Sequence, residues 1–264
     1  VLRLSAPAAS TWARRASSIA LYVASIVLGL IVWELAGRNV SRVVLAPPSL
    51  VAVKLWAGFA SGALPAAFLR SLGHMVAGFA IALAVALPVG VLMGRMRAVA
   101  WLLDPLVAAL YAIPPVAFVP FIIVWCGLFF EARVTLVAVM SVFEMLVTFA
   151  AGARAVPPGL VDVGRSFGAR RGTLVVKVML PAMLPFIITG LRLGLVRAVH
   201  GMIVAELFFA AVNLGDIMKR GQTRFDAAGV LAVVVLLAVF GLAAQETLRA
   251  VENRALLRNA GGRS

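Results

Sequence analysis

Six stretches of this chain are each long and apolar enough to cross a bilayer, and no other feature limits its fold so strongly. A spanning helix needs about 20 mostly apolar residues. The stretches lie at about 18–37, 71–94, 102–128, 134–153, 182–207 and 227–246. Over the 264 residues 63% are hydrophobic, only 13% are charged, and the mean hydropathy is +1.07. A soluble fold could not bury that much apolar surface, and a disordered chain would not carry it. One cysteine rules out an intrachain disulfide, and two histidines leave little for a zinc site. The expectation is an all-α polytopic membrane protein of six transmembrane helices, with no metal centre.

The formal net charge of +14 would suggest nucleic acid in a soluble domain. Here the basic residues punctuate the apolar stretches instead of forming one patch, which is how membrane orientation is set. If both ends lie inside, fourteen of the 24 basic residues fall on inside segments and eight outside, with Arg192 and Arg197 within the fifth stretch. Nucleic acid is not an expected partner; the lipid bilayer is. Arg14 and Arg15 precede a run of full spanning length with no clear cleavage site behind it, so it reads as a first transmembrane helix and not a cleaved signal. In the outside segment that follows, Pro47-Pro48-Ser49 is a helix-start signal, and Leu50 to Phe59 suit a short helix at the bilayer surface. Trp33, Trp101 and Trp125 fall near span ends, as interface anchors do, and Cys126 reads as inert.

Charges inside a span cost about 2.5–3.5 kcal/mol each on insertion scales, so each needs a role. Arg192, Arg197 and Glu206 lie on the fifth span and Glu144 on the fourth. The two arginines could face a pore and attract an anion. The favoured alternative has Arg192 reaching the inner interface and Arg197 paired with Glu144 or Glu206, because an unpaired buried charge is costlier. Glu206 is expected near the outer end, and His200 is read as a hydrogen-bonded packing residue. Pro114 and Pro115, with Pro120, interrupt the third span; a kinked helix beside a pore and a kink against a neighbouring helix both fit. Gly90/Gly94 and Gly190/Gly194 permit close helix approach.

The longest polar connection, about 154–181, lies on the inside in this topology and predicts a short helix, a turn at Gly168 and a second helical run from about Thr173 into Leu180-Pro181. Leu160, Val163, Gly164 and Phe167 share one face of the first helix. An amphipathic helix of this kind can dock in a partner's groove, and a solvated connector fits the periodicity equally. The segment resembles the EAA loop of bacterial ABC-importer permeases. Asp162-Val163-Gly164 occupies the E-A-A places, Gly168 the glycine, and Val178-Met179-Leu180-Pro181 the close, with every spacing kept. The departures are Asp for Glu and Val-Gly for Ala-Ala, and Gly164 weakens the helix by about 1 kcal/mol relative to Ala. The segments 45–56, 102–127 and 180–208 are similar to the nitrate/sulfonate/taurine branch of that family, with Phe143-Glu144 a departure where the branch is usually apolar.

The resemblance covers nearly the whole chain and implies one transmembrane permease domain, 1–264, in a bacterial cytoplasmic (inner) membrane with both termini cytoplasmic. It implies a second permease copy forming the pore, a cytoplasmic ATPase dimer, and an extracytoplasmic solute-binding protein. Leu160, Asp162, Gly164, Arg165, Phe167, Gly168, Ala169, Leu180 and Pro181 would then couple the pore to the ATPase. No G-x-x-x-x-G-K-[ST] phosphate loop occurs, so ATP and magnesium belong on the partner ATPase and no cofactor on this chain. No enzyme activity is expected. The solute implied is a small anion such as a sulfonate, taurine or nitrate. The competing class is an ATP-independent channel or secondary transporter, which uptake without ATP would favour.

Overall fold

The computed structural model describes residues 9–41, 44–209 and 212–261, with side chains from 20 to 250. Arg3, Arg42 and Arg263, which entered the orientation count, lie outside the described residues, as do the side chains of Arg14, Arg15, Arg254 and Arg258.

The described residues form helices α1 (Ala9–Asn39), α2 (Pro48–Ala60), α3 (Ala63–Arg95), α4 (Arg97–Ala112), α5 (Val119–Cys126) and α6 (Phe130–Ala155). The chain continues as α7 (Pro158–Ser166), α8 (Arg171–Leu174), α9 (Leu180–Ala182), α10 (Leu184–Phe208), α11 (Asn213–Thr223) and α12 (Ala227–Gly261), with no strand among the described residues. Helices α1, α3, α6, α10 and α12 are each long and apolar enough to cross a membrane. Helices α1, α3, α6 and α12 run past the expected spans, because capping and packing, not hydropathy, end a helix.

The third span differs from the expectation of one kinked helix over 102–128. It is a broken pair, α4 and α5, meeting at 95°. The cause is two consecutive prolines. Each proline drives the residue before it out of helical backbone. Ile113 accordingly adopts φ −77°, ψ 126° and Pro114 φ −55°, ψ 123°. A 3₁₀ turn, Pro115–Phe118, then leads into α5.

Helix α6 is the axis of the bundle, with α3 on one side and α10 on the other. Small residues set these approaches. A Cβ at Gly94 would lie 2.3 Å from Ala153 Cβ and 2.7 Å from the Ala150 carbonyl, so only glycine lets α3 sit this close to α6. Phe149 of α6, fully buried, is pinched between Gly90 of α3 and Gly190 of α10. The glycine pairs of the sequence therefore serve packing within the chain.

At one end of the bundle, Glu34 of α1 caps α2, accepting from the Ser49 N–H at 3.0 Å and the Ser49 hydroxyl at 2.8 Å. Pro48 opens α2, where a missing N–H costs nothing. Lys54 of α2 pairs with Asp226, just before α12, at 2.6 Å. That bond holds the Asp226 carboxyl below the usual aspartate range, outside the spanning helices. The other end carries α7, α8 and α9.

Candidate functional site

Helix α7 begins at Pro158 and ends in a complete glycine cap. Gly168 has φ +73°, its N–H bonds the Arg165 carbonyl at 2.8 Å, and the Ala169 N–H bonds the Gly164 carbonyl at 3.1 Å. That is a Schellman cap, which satisfies carbonyls the helix end would leave open. The second run starts at Arg171, passes through one wide π-helical turn, Val175–Met179, and reaches Leu180-Pro181.

The two faces of α7 differ. Val161 is buried among Val91, Ala153, Val156, Leu174, Met179 and Met183, which tie α7 to α3, α6 and the start of α10. Gly164 lies on this inner side: a Cβ there would meet Leu174 Cδ2 at 2.6 Å. Leu160, Val163 and Phe167, spaced i, i+3, i+7, point outward, and Phe167 is 86% exposed. The four residues that periodicity groups on one face thus divide, because Gly164 sits on the border against α8. Asp162 and Arg165 form an exposed i,i+3 pair at 3.2 Å beside the apolar ridge. Ala169 is half-buried against the inner cluster, Leu180 half-buried, and Pro181 exposed. Val161, the anchor, carries no polar or spacing signal that singles it out in the sequence.

A second cluster lies halfway along the bundle. Glu144, near the middle of α6, accepts from Arg197, near the middle of α10, with Nη2 at 2.6 Å and Nε at 2.8 Å from Oε1. The Tyr111 hydroxyl donates to the same oxygen at 3.2 Å. These groups line a cleft of about 90 Å³ together with Ile113, Pro115 and Phe143, at the break between α4 and α5. Pro114 holds the break beside it. Tyr111 is absent from the sequence expectation because a lone tyrosine in an apolar run gives no signal. Arg192 is half-buried on α10, one turn and a half nearer the α7 end.

Glu206 belongs to a different environment. Expected near an outer end where water makes a charge cheap, it lies near the end of α10 but is fully buried. It accepts from the Ser71 hydroxyl of α3, from Asn213 Nδ2 at 3.1 Å and from the Gly215 N–H at 3.0 Å, with His74 Nε2 at 3.5 Å. It is not the partner of Arg197. Asn213 opens α11 with φ +53°, a left-handed backbone that asparagine tolerates, and also accepts from Arg70 Nε at 3.2 Å. So Glu206 clamps α11 onto α3 and α10. Ser71 and His74, one turn apart inside an apolar stretch, were the available sequence signal. His200 also departs from expectation: it is exposed and lines an apolar groove between α10 and α12. Among the described residues no group of three or more His, Cys, Asp and Glu could hold a metal.

Residues 86–256 match the family described as binding-protein-dependent transport system inner membrane component. A probable ABC transporter permease protein of Brucella melitensis is 30% identical over 240 residues, spanning 91% of this chain and 97% of that one. The taurine transport system permease protein of Escherichia coli K12 is 27% identical over 243 residues, spanning 89% and 88%. Among solved structures, a chain of the MetNI methionine ABC transporter in inward-facing conformations superposes with a TM-score of 0.64 at 22% identity, covering 73% of this chain and 96% of that one. With a family match over most of its length, a relative alike from end to end and the same helical fold, this chain belongs to the binding-protein-dependent transport system inner membrane components and is an ABC importer permease subunit.

Proposed function

We propose that this chain forms the pore of an ATP-driven importer as a pair with a second copy, and that α7 couples it to a separate ATPase dimer. The observation that carries this is the division of α7. Its outer ridge, Leu160, Val163 and Phe167, is apolar and exposed on a polar connection, and its inner anchor, Val161, belongs to a buried cluster shared with Val91 of α3, Ala153 of α6 and Met183 just before α10. A contact on the ridge therefore moves the bundle instead of bending a loop. Asp162, Arg165, Gly168 and Ala169 frame the ridge, and Leu180-Pro181 carries the motion into α10. In this reading the α7 end faces the cytoplasm of a bacterial inner membrane and both termini lie there. The α2 and α11 end receives solute from an extracytoplasmic binding protein. ATP and magnesium act on the ATPase, and the chain itself performs no chemistry. The solute is a small molecule bearing an acidic group of the sulfonate kind, as the taurine permease relative suggests.

The test is recovery of the tagged chain from native membranes in mild detergent. An ATPase and a second copy of the chain should co-purify with the wild type. Phe167→Arg should lose the ATPase while the amount of membrane-inserted chain stays unchanged. Wild-type chain recovered without an ATPase, even after cross-linking, would overturn the coupling role and favour the ATP-independent class.

A further inference from the structure

We infer that Glu144, Arg197 and Tyr111 form a polar station on the translocation path whose paired charges suit a small zwitterion better than a net anion. The position comes first. Arg197 and Glu144 lie near the middle of two helices long enough to cross the membrane. The Arg197 side chain is nonetheless 43% exposed on this chain. A guanidinium at that depth cannot face hydrocarbon at acceptable cost, so it faces water or protein. The neighbouring backbone points the same way. Ile113 and Pro114 are non-helical at the same level, and such backbone is tolerated inside a membrane only where protein or a water-filled cavity covers it. Tyr111 and Ile113, 49% and 38% exposed, stand at the mouth of the cleft. Two independent features, a half-exposed charge pair and a helix break, thus mark one face as turned away from lipid, and in the paired importer that face borders the pore.

The charge argument follows from geometry. Both Arg197 nitrogens and the tyrosine hydroxyl converge on one carboxylate oxygen, Oε1. The site as a whole is neutral. A solute carrying only a negative charge must compete with Glu144 for Arg197 and then leaves two anions beside one cation. A solute with both an acidic and a basic group exchanges partners instead: its acid takes Arg197, its ammonium takes Glu144, and the total charge stays balanced throughout. Tyr111 can turn its hydroxyl from Glu144 to the solute's acidic group. This deepens the importer reading and rests on it for the pore and for the direction of transport.

The experiment needs neither ATP nor the binding protein. A single thiol is placed at the mouth of the cleft, Ile113→Cys in a Cys126→Ser background, and the chain is held in lipid nanodiscs with both faces open. Labelling rates are measured with two membrane-impermeant methanethiosulfonates, one sulfonated and one trimethylammonium. Both should label, at comparable rates once each is divided by its rate with a free thiol in solution, because the station is neutral. Glu144→Gln should raise the ratio of anionic to cationic labelling about tenfold, and Glu144→Asp, which keeps the charge, should not. Taurine should slow labelling in the wild-type background, while isethionate, the same sulfonate with a hydroxyl for the amine, should not. In Glu144→Gln that difference should vanish. No labelling by either reagent would overturn the placement on an aqueous path. Protection by isethionate equal to or better than taurine, or by neither, would overturn the paired-charge selectivity. The ATPase recovery above reports the importer reading separately, so the two can fail independently.

Discussion

Single residues here act through the groups they leave satisfied. Glu206 is buried with three donors on its carboxylate, from Ser71, Asn213 and Gly215. Glu206→Ala orphans the buried Gly215 N–H, while Ser71 keeps the Ala67 carbonyl at 3.0 Å, and a buried unsatisfied donor costs about 1–3 kcal/mol. The melting temperature of the detergent-solubilised chain should fall by several degrees, with α11 the first segment to gain hydrogen exchange. Unchanged melting would show that the clamp contributes nothing. Lys54 and Asp226 offer a gentler case, since both are partly exposed. The Lys54 hydrogen bond lowers the Asp226 pKa below its ordinary 3.8. The folded protein therefore holds the proton less well than the unfolded chain does. The stabilisation is complete above 3.8 and disappears as pH falls through the lowered folded value. Lys54→Met should melt slightly below wild type at pH 7, by less than about 1 kcal/mol in stability. The gap should close only well into the acid range. These pairings explain why the residue scale was half legible. A charge inside an apolar run is conspicuous in sequence, so Glu144, Arg197 and Glu206 stood out. Their partners, Tyr111, Ser71 and Asn213, are ordinary residues that matter only because the fold brings them near.

At the scale of elements, α7 and the broken span are the informative cases. Gly168 adopts a left-handed backbone that completes the α7 cap. Gly168→Ala forces a Cβ into that conformation at a cost of about 1–2 kcal/mol. In reconstituted vesicles, solute-stimulated ATP hydrolysis by the assembled transporter should weaken, with membrane insertion unaffected. Unchanged stimulation would show that the cap does not matter to coupling. The glycine and the two starting prolines made α7 readable in advance, because turn chemistry is local. The α4–α5 break was read as a kink because sequence shows where prolines stand but not how far the chain turns after them. Consecutive prolines forbid helix at two residues in a row, and the 95° angle is set by what α5 packs against, Ala132, Leu136 and Met140 of α6 and Phe209 beyond α10.

The whole molecule is organised around α6, and its stability should be most sensitive where backbones touch. Gly94→Val would push a branched side chain against Ala153 and the Ala150 carbonyl. Overpacking of this kind costs about 1–3 kcal/mol. Folded yield in detergent should drop sharply, whereas Gly29→Val, where nothing lies within 4 Å, should be neutral. Equal yields would mean that α3 and α6 can separate without penalty. Class and membrane crossing were settled by the sequence alone, because the cost of leaving backbone or charge in hydrocarbon allows few solutions for a chain this apolar. The start of α2 and the start and stop of α7 were also written locally, in prolines and a glycine. Only the tertiary structure decided which charges meet, which face of α7 is free, and that the glycine pairs serve α6. Each of those depends on the relative rotation of helices far apart in the chain. Hydropathy is blind to that rotation; side-chain packing determines it.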